Sequence, residues 1–281
     1  MFRCARRGDR AIELTKAFEF SDADFPHFDR VRHPDVRFAG MLQYDGDSLL
    51  PKHYVVPPPT IDKTVGEYLA NAGLKQLAIS ETQKYGHVTY FFNGNKTGKF
   101  AEELERYIEI PSYKEPEDER PWMRCVEITD ETIAQLDDFE PDFIRLNYPN
   151  GDMVGHTASY NAARMAMEAV DIQCKRLVEA IVQRGGVAVV TADHGNCDQM
   201  AERDKAGNIV DGDQPEGWKG MTAHTLAPTP VAIVGGSVDE LYEMSGTPNP
   251  GLANVTGTCV NLLGFEVPAG YEPSLIKPMG K

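Results

Sequence analysis

Three short segments concentrate side chains that hold divalent cations. Asp152 and His156 stand four residues apart in NGDMVGHT, Asp193 and His194 are adjacent in TADHGN, and His224 lies in MTAHTLAPTP. Two carboxylates and three imidazoles form a mixed nitrogen and oxygen ligand set suited to Zn²⁺ or Mn²⁺. No thiolate belongs to the set, which argues against structural zinc. Five ligands exceed the need of one four-coordinate ion and point to two neighbouring ions, an arrangement that polarises phosphoryl oxygens and activates an attacking oxygen. Each element alone is a weak signal, since a single histidine near a strand end is more often a surface or hydrogen-bonded residue. The reading rests on three such elements flanking consecutive predicted strands.

Two further segments could act on an anion. In RRGDRAIEL, Arg7 and Arg10 are three apart at a helix start. They can present two planar forks to one anion, and the helix N-terminus adds its own attraction. The alternative is an exposed, basic first turn. In ETQKYGHVTYFFNG, Lys84 is a candidate for neutralising a phosphoryl group, or else a surface lysine, and His87 a hydrogen-bonding or structural residue. A nucleophile is missing from this inventory. There is no G-x-S-x-G elbow, P-loop or G-x-G-x-x-G, and no serine or threonine sits in a setting that singles it out.

The elements that must position these residues read as alternating strands and helices. Short apolar runs at 74–79, 142–147, 187–191 and 230–234 predict buried strands. The spacing of Met167, Val170, Cys174, Leu177 and Ile181 predicts a helix over 158–184, ended by Gly185 and Gly186. Further helices are expected over 10–19, over 61–72 with Thr60 as its cap and Gly73 after it, and over 96–107. This order predicts an α/β fold, a mostly parallel sheet flanked by helices. Ligands of such a sheet bind beyond the carboxyl ends of its strands, where Asp152/His156 and Asp193/His194 fall if the strands are parallel. The best boundary is PKHYVVPPP at 51–59, a stiff extended connector. Segments 111–122 and 203–220 read as surface loops.

Composition narrows the functional classes. A chain of 281 residues makes one large or two modest domains and can bury a sizeable core. The net charge of −15 argues against nucleic acid as a partner. That charge is uneven: the first 40 residues carry a net +1 and the remaining 241 a net −16. No run approaches the ~18 apolar residues of a membrane span, and MFRCARRGDRAIEL lacks the apolar region of a secretory signal. The cysteines Cys4, Cys125, Cys174, Cys197 and Cys259 are odd in number, far apart and free of C-x-x-C. They read as reduced thiols of a cytoplasmic protein.

Taken together, RGDRAIEL, FAGMLQYDGD, ETQKYGHVTYFFNG, NYPNGDMVGHT, MEAVD, VVTADHGN and TAHTLAPTPV resemble the cofactor-independent phosphoglycerate mutases of the alkaline phosphatase superfamily, in that family's order from residue 3 to about residue 275. The resemblance implies two α/β domains, one phosphatase-like with two Mn²⁺ (or Zn²⁺ or Co²⁺), the other inserted into it and holding the glycerate. It implies transfer between 3-phosphoglycerate and 2-phosphoglycerate through a phosphoserine, without bisphosphoglycerate, in a protein that is usually monomeric. Asp152, His156 and His224 would hold one ion, and Asp193 and His194 the second. Lys84 would contact the phosphoryl group, and Arg7 and Arg10 would grip the substrate.

The D-G ligand motif that opens the family's chain and its N-S-E-x-G-H nucleophile motif are absent from the matched region. The expectation is therefore a C-terminal half: residues 1–55 as the end of the inserted substrate domain, residues 56–281 as most of the phosphatase-like domain. Such a chain would be inactive without its other half. The alternatives are a stand-alone metallophosphatase or phosphodiesterase, and a non-catalytic metal-binding remnant.

Overall fold

The structure is a computed structural model that describes residues 8–45, 48–57, 61–212 and 214–280, with the side chains of residues 8–10 outside the description. The fold is α/β, with parallel sheets flanked by helices, and contacts divide it into two compact units. The first comprises residues 1–109 and 141–147, the second 110–140 and 148–281. The 51–59 connector lies within the first.

In the first unit, α1 (Gly8–Glu19) leads to two short strands, β1 (Gly40–Leu42) and β2 (Tyr54–Val56), paired in parallel. Part of the expected connector is thus a strand, with Tyr54 opposite Gly40. Helix α2 (Val65–Asn71) starts later than expected. Thr64, not Thr60, stands at its N-cap, and Thr60 lies outside the described residues. The Thr64 hydroxyl makes no capping bond. Glu67 instead reaches back to accept the Lys63 N–H at 2.8 Å. Gly73 follows in the left-handed conformation that stops the helix, at φ +78°.

Three strands then form the core sheet of this unit: β3 (Gln76–Glu81), β4 (Glu105–Ile110) and β5 (Phe143–Asn147), with β3 in the centre and β3–β5 parallel. All six residues of β3 are buried. Helix α3 (Thr82–Gly86) follows β3 directly and runs into one π-helical turn, His87–Phe91.

The helix expected over 96–107 does not form. Gly98 takes φ +88°, and the buried Glu105 carboxylate accepts the N–H groups of Phe100 (2.6 Å) and Ala101 (2.8 Å). Those donors are thereby held by a carboxylate rather than by a helical ladder, and the alternating ERYIEI continues as β4. Arg145, in the middle of β5, is also buried. Its Nε donates to the Val88 carbonyl at 2.7 Å and its Nη1 to Gln76 Oε1 at 3.0 Å.

The second unit is built on α4 (Cys125–Asp138), α5 (Asn150–Gly155) and α6 (Tyr160–Gln183). Helix α6 ends as expected, with Gly185 at φ +78°. Its buried face keeps Leu177 of the expected stripe, with Val170, Cys174 and Ile181 half-buried, and extends it toward the N-terminus. Ala162, Ala163 and Ala166 bury, while Met167 is exposed, and these small residues pack with Val154, Met123 and Met200 in the core. Two antiparallel pairs complete the unit: β6 (Val187–Thr191) with β7 (Val231–Gly235), and β8 (Tyr242–Met244) with β9 (Ile276–Pro278). Helices α7 (Val238–Leu241) and α8 (Ala253–Leu262) lie between β7 and β9 in the chain.

Candidate metal centre

The second unit assembles the expected ligands from three places in the chain. The short helix α5 carries Asp152 in its first turn, and His156 is its C-cap residue. A separation of four residues puts both side chains on one helix face, with Asp152 Oδ1 and His156 Nε2 2.9 Å apart. Asp193 and His194 follow the end of β6. His224 precedes β7, and it arrives because β7 is antiparallel to β6: the start of β7 lies beside the end of β6. The ladder is extended by a bridge between Gly195 and Thr225, whose N–H donates to the Gly195 carbonyl at 2.9 Å. Only glycine fits at 195, since a Cβ there would overlap the Thr225 hydroxyl. That hydroxyl in turn donates to the Asp198 carboxylate, whose two oxygens lie 2.9 and 2.8 Å from it.

Asp152 Oδ1 is the hub of the resulting cluster. His224 Nε2 lies 2.9 Å from it and His194 Nε2 3.9 Å from it. The Nε2 atoms of His224 and His156 are 3.1 Å apart, and the His194 ring stacks on His224 with centroids 3.7 Å apart. The partners of the other ring nitrogens assign the tautomers. His156 Nδ1 is 2.6 Å from the Thr222 carbonyl and His194 Nδ1 is 3.3 Å from the Gly195 carbonyl. A carbonyl can only accept, so each Nδ1 carries a proton, and Nε2 is the ring nitrogen left to ligate a cation.

A carboxylate oxygen and several imidazole nitrogens converge on one point, where positive charge is favoured. A divalent cation supplies that charge, and tying the far ring nitrogen to a carbonyl is the arrangement that metal-ligating histidines adopt. Asp152, His194 and His224 place one ligand atom each within 4.8 Å of one another. The residues fit a cation.

The other expected residues are placed as follows. The Asp193 side chain is 55 % exposed, with its Oδ2 3.5 Å from His194 Nε2. His194, expected to pair with Asp193 on a second ion, also touches the first group through its stack on His224. Lys84 belongs to the first unit, where α3 buries it, so it is not the surface lysine that its bare sequence setting allowed. Arg7 lies outside the described residues, as does the Arg10 side chain. Cys197 donates its thiol to the Gly151 carbonyl at 2.9 Å. Burial, then the charges of Asp198 and Asp152, push that thiol up, so it remains protonated beside the cluster. Sequence reasoning missed the supporting residues Thr222, Thr225 and Asp198. The one available signal was position: Thr222 and Thr225 flank His224, and Asp198 is four residues after His194.

The chain is 50 % identical over 272 residues to the 2,3-bisphosphoglycerate-independent phosphoglycerate mutase of Trypanosoma brucei brucei, covering 96 % of this chain and 49 % of that protein. It is 47 % identical over 277 residues to a probable enzyme of the same name from Arabidopsis thaliana, covering 98 % of this chain and 49 % of that one. The chain thus spans about half the length of the curated relatives it matches. A Leishmania mexicana phosphoglycerate mutase, solved at low cobalt concentration, superposes with a TM-score of 0.92 at 49 % identity, over 97 % of this chain and 49 % of that one. With a family model matched over residues 9–267, the chain belongs to the Metalloenzyme superfamily.

Proposed function

We propose that these 281 residues carry the metal-binding part of a cofactor-independent phosphoglycerate mutase, an isomerase interconverting 3-phosphoglycerate and 2-phosphoglycerate through a phosphoserine. The observation that carries the reading is the convergence on Asp152 Oδ1 of His156 and His224 Nε2 at 2.9 Å and His194 Nε2 at 3.9 Å. The names of the relatives supply the substrate class.

Asp152, His156 and His224 hold one cation in this proposal, and Asp193 with His194 contributes to a second. Bound Mn²⁺, or Co²⁺ or Zn²⁺, supplies positive charge that polarises phosphoryl oxygens. Lys84 adds charge to the transferring group, and Arg7 and Arg10 orient the substrate by paired hydrogen bonds. Residues 1–55 belong with the substrate domain and 56–281 with the phosphatase-like one. Since the N-S-E-x-G-H motif does not occur in these residues, the serine and the remaining ligands come from polypeptide outside them.

Two measurements test this. Titration with Co²⁺ should detect binding by the chain, and Asp152→Ala or His224→Ala should weaken it by about 100-fold or more, beyond the loss typical of a supporting residue. A mutase assay with 3-phosphoglycerate and Mn²⁺, without bisphosphoglycerate, should show no turnover by this chain alone. Chelator-sensitive turnover should appear once the N-terminal half of the trypanosomal relative is supplied. Turnover by the chain alone would overturn the need for an outside serine. Hydrolysis of an aryl phosphate without mutase activity would favour a metallophosphatase instead.

A further inference from the structure

We propose that Asn196 is a positioning residue of the metal centre, one that aims the Asp152 carboxylate. The inference rests on the metal-binding reading above and adds a residue to it.

Asn196 follows the turn that carries Asp193 and His194, and it is buried. Its Nδ2 lies 3.0 Å from the backbone carbonyl of Asp152 and 3.0 Å from Asp152 Oδ1. The two protons of one amide therefore tie the carboxylate to its own backbone, which fixes the side-chain torsions of Asp152. The bonded oxygen is the hub atom. One of its lone pairs is occupied by the amide, which leaves the other for the side where the histidine nitrogens converge.

The amide orientation is forced. A flipped Asn196 would set its oxygen against two oxygens of Asp152 that can only accept. This orientation has a cost: Asn196 Oδ1 is buried and has no hydrogen-bond partner. Packing keeps it there. A Cβ on Gly155, one residue before the ligand His156, would overlap Asn196 Oδ1, so the glycine makes room for the amide. A buried side chain that hydrogen-bonds a ligating carboxylate is the pattern of a metal site's supporting residues.

The test is Co²⁺ titration by calorimetry on the full chain, beside thermal unfolding with and without EDTA. Asn196→Ala should weaken Co²⁺ binding by about 10- to 100-fold, the usual cost of losing such a partner, while the unfolding temperature in EDTA changes little. Gly155→Ala keeps the amide but pushes it off Asp152, and its backbone is helical, so it should fold and weaken binding in the same direction. It decides the matter if the Asn196 variant fails to fold. Binding within about twofold of the parent in the Gly155 variant, or an Asn196 variant that loses stability equally in EDTA and binds as before, would overturn the proposal. Failure of the parent chain itself to bind Co²⁺ would count against the metal centre, a different result.

Discussion

Strand β3 and the β6–β7 pair have similar sequences and opposite surroundings. QLAISE and VAVVT both read as short apolar runs. Yet Leu77, Ala78 and Ile79 are fully buried, whereas Val231 and Val234 of β7 are each 41 % exposed and only Ala188 of β6 is buried. β3 is the central strand of three, flanked by β4 and β5. β6 and β7 make a sheet of two, and a two-stranded sheet has no interior strand. Apolar character thus expresses a tendency to be covered, and the number of neighbouring strands decides whether the cover is present. The site follows the less covered sheet: His194 and His224 hang from the ends of β6 and β7.

The contrast can be broken most forcefully at β3. Leu77→Ala or Ile79→Ala should each destabilise the chain by about 2–5 kcal/mol, because either opens a cavity in a fully packed position. Urea denaturation followed by far-UV circular dichroism measures it, and a loss no larger than that of a surface substitution would contradict the burial.

A smaller effect concerns pH and involves both units. Tyr107 in the first is pushed up to about 12 by burial and its hydrogen bond to Glu105, and Tyr148 in the second to about 12 by burial. A tyrosine raised in the folded state gives stability that is complete below its unfolded pKa of about 10 and lost as pH rises through the folded value. The urea midpoint should fall between pH 10 and 12, and Tyr148→Phe should flatten that fall; an unchanged slope in the variant would remove Tyr148 from the account.

The smallest effect belongs to β7. Val231→Thr and Val234→Thr keep β-branching and replace exposed apolar surface, so stability should stay within about 0.5 kcal/mol. Self-association, followed by light scattering against concentration, should decline, since exposed apolar strands are docking edges. A large destabilisation would mean that β7 is covered after all.

Much of this was legible in the residues. The four apolar runs became β3, β5, β6 and β7 within a residue or two, and the Gly185–Gly186 stop marked the end of α6. Asp152, His156, His194 and His224, singled out by their places at element ends, lie together in the structure. What escaped shares a physical reason: side chains acting on distant backbone. Glu105 turned a helix-like stretch into a turn and a strand by holding the Phe100 and Ala101 amides. Arg145 sits in a strand as a charged residue that a surface would normally claim, yet it is spent on the Val88 carbonyl and Gln76. Asn196 offers no motif that distinguishes it from a turn residue. The antiparallel sense of β7, which delivers His224, cannot be read from its own apolar run.

The bridge between Gly195 and Thr225 has a consequence for how this chain can vary. The segment between them leaves the ligand cluster and returns to adjoining points, closing on itself through pairs such as Arg203 with Ile209 and Asp211 with Trp218. Doubling such an excursion costs only about 0.6 kcal/mol of closure entropy. The length and sequence at its tip, around the exposed turn Asp204–Gly207, are thereby uncoupled from the spacing of His194 and His224. Relatives are free to diverge or carry insertions there, while the residues at the neck are held to their geometry.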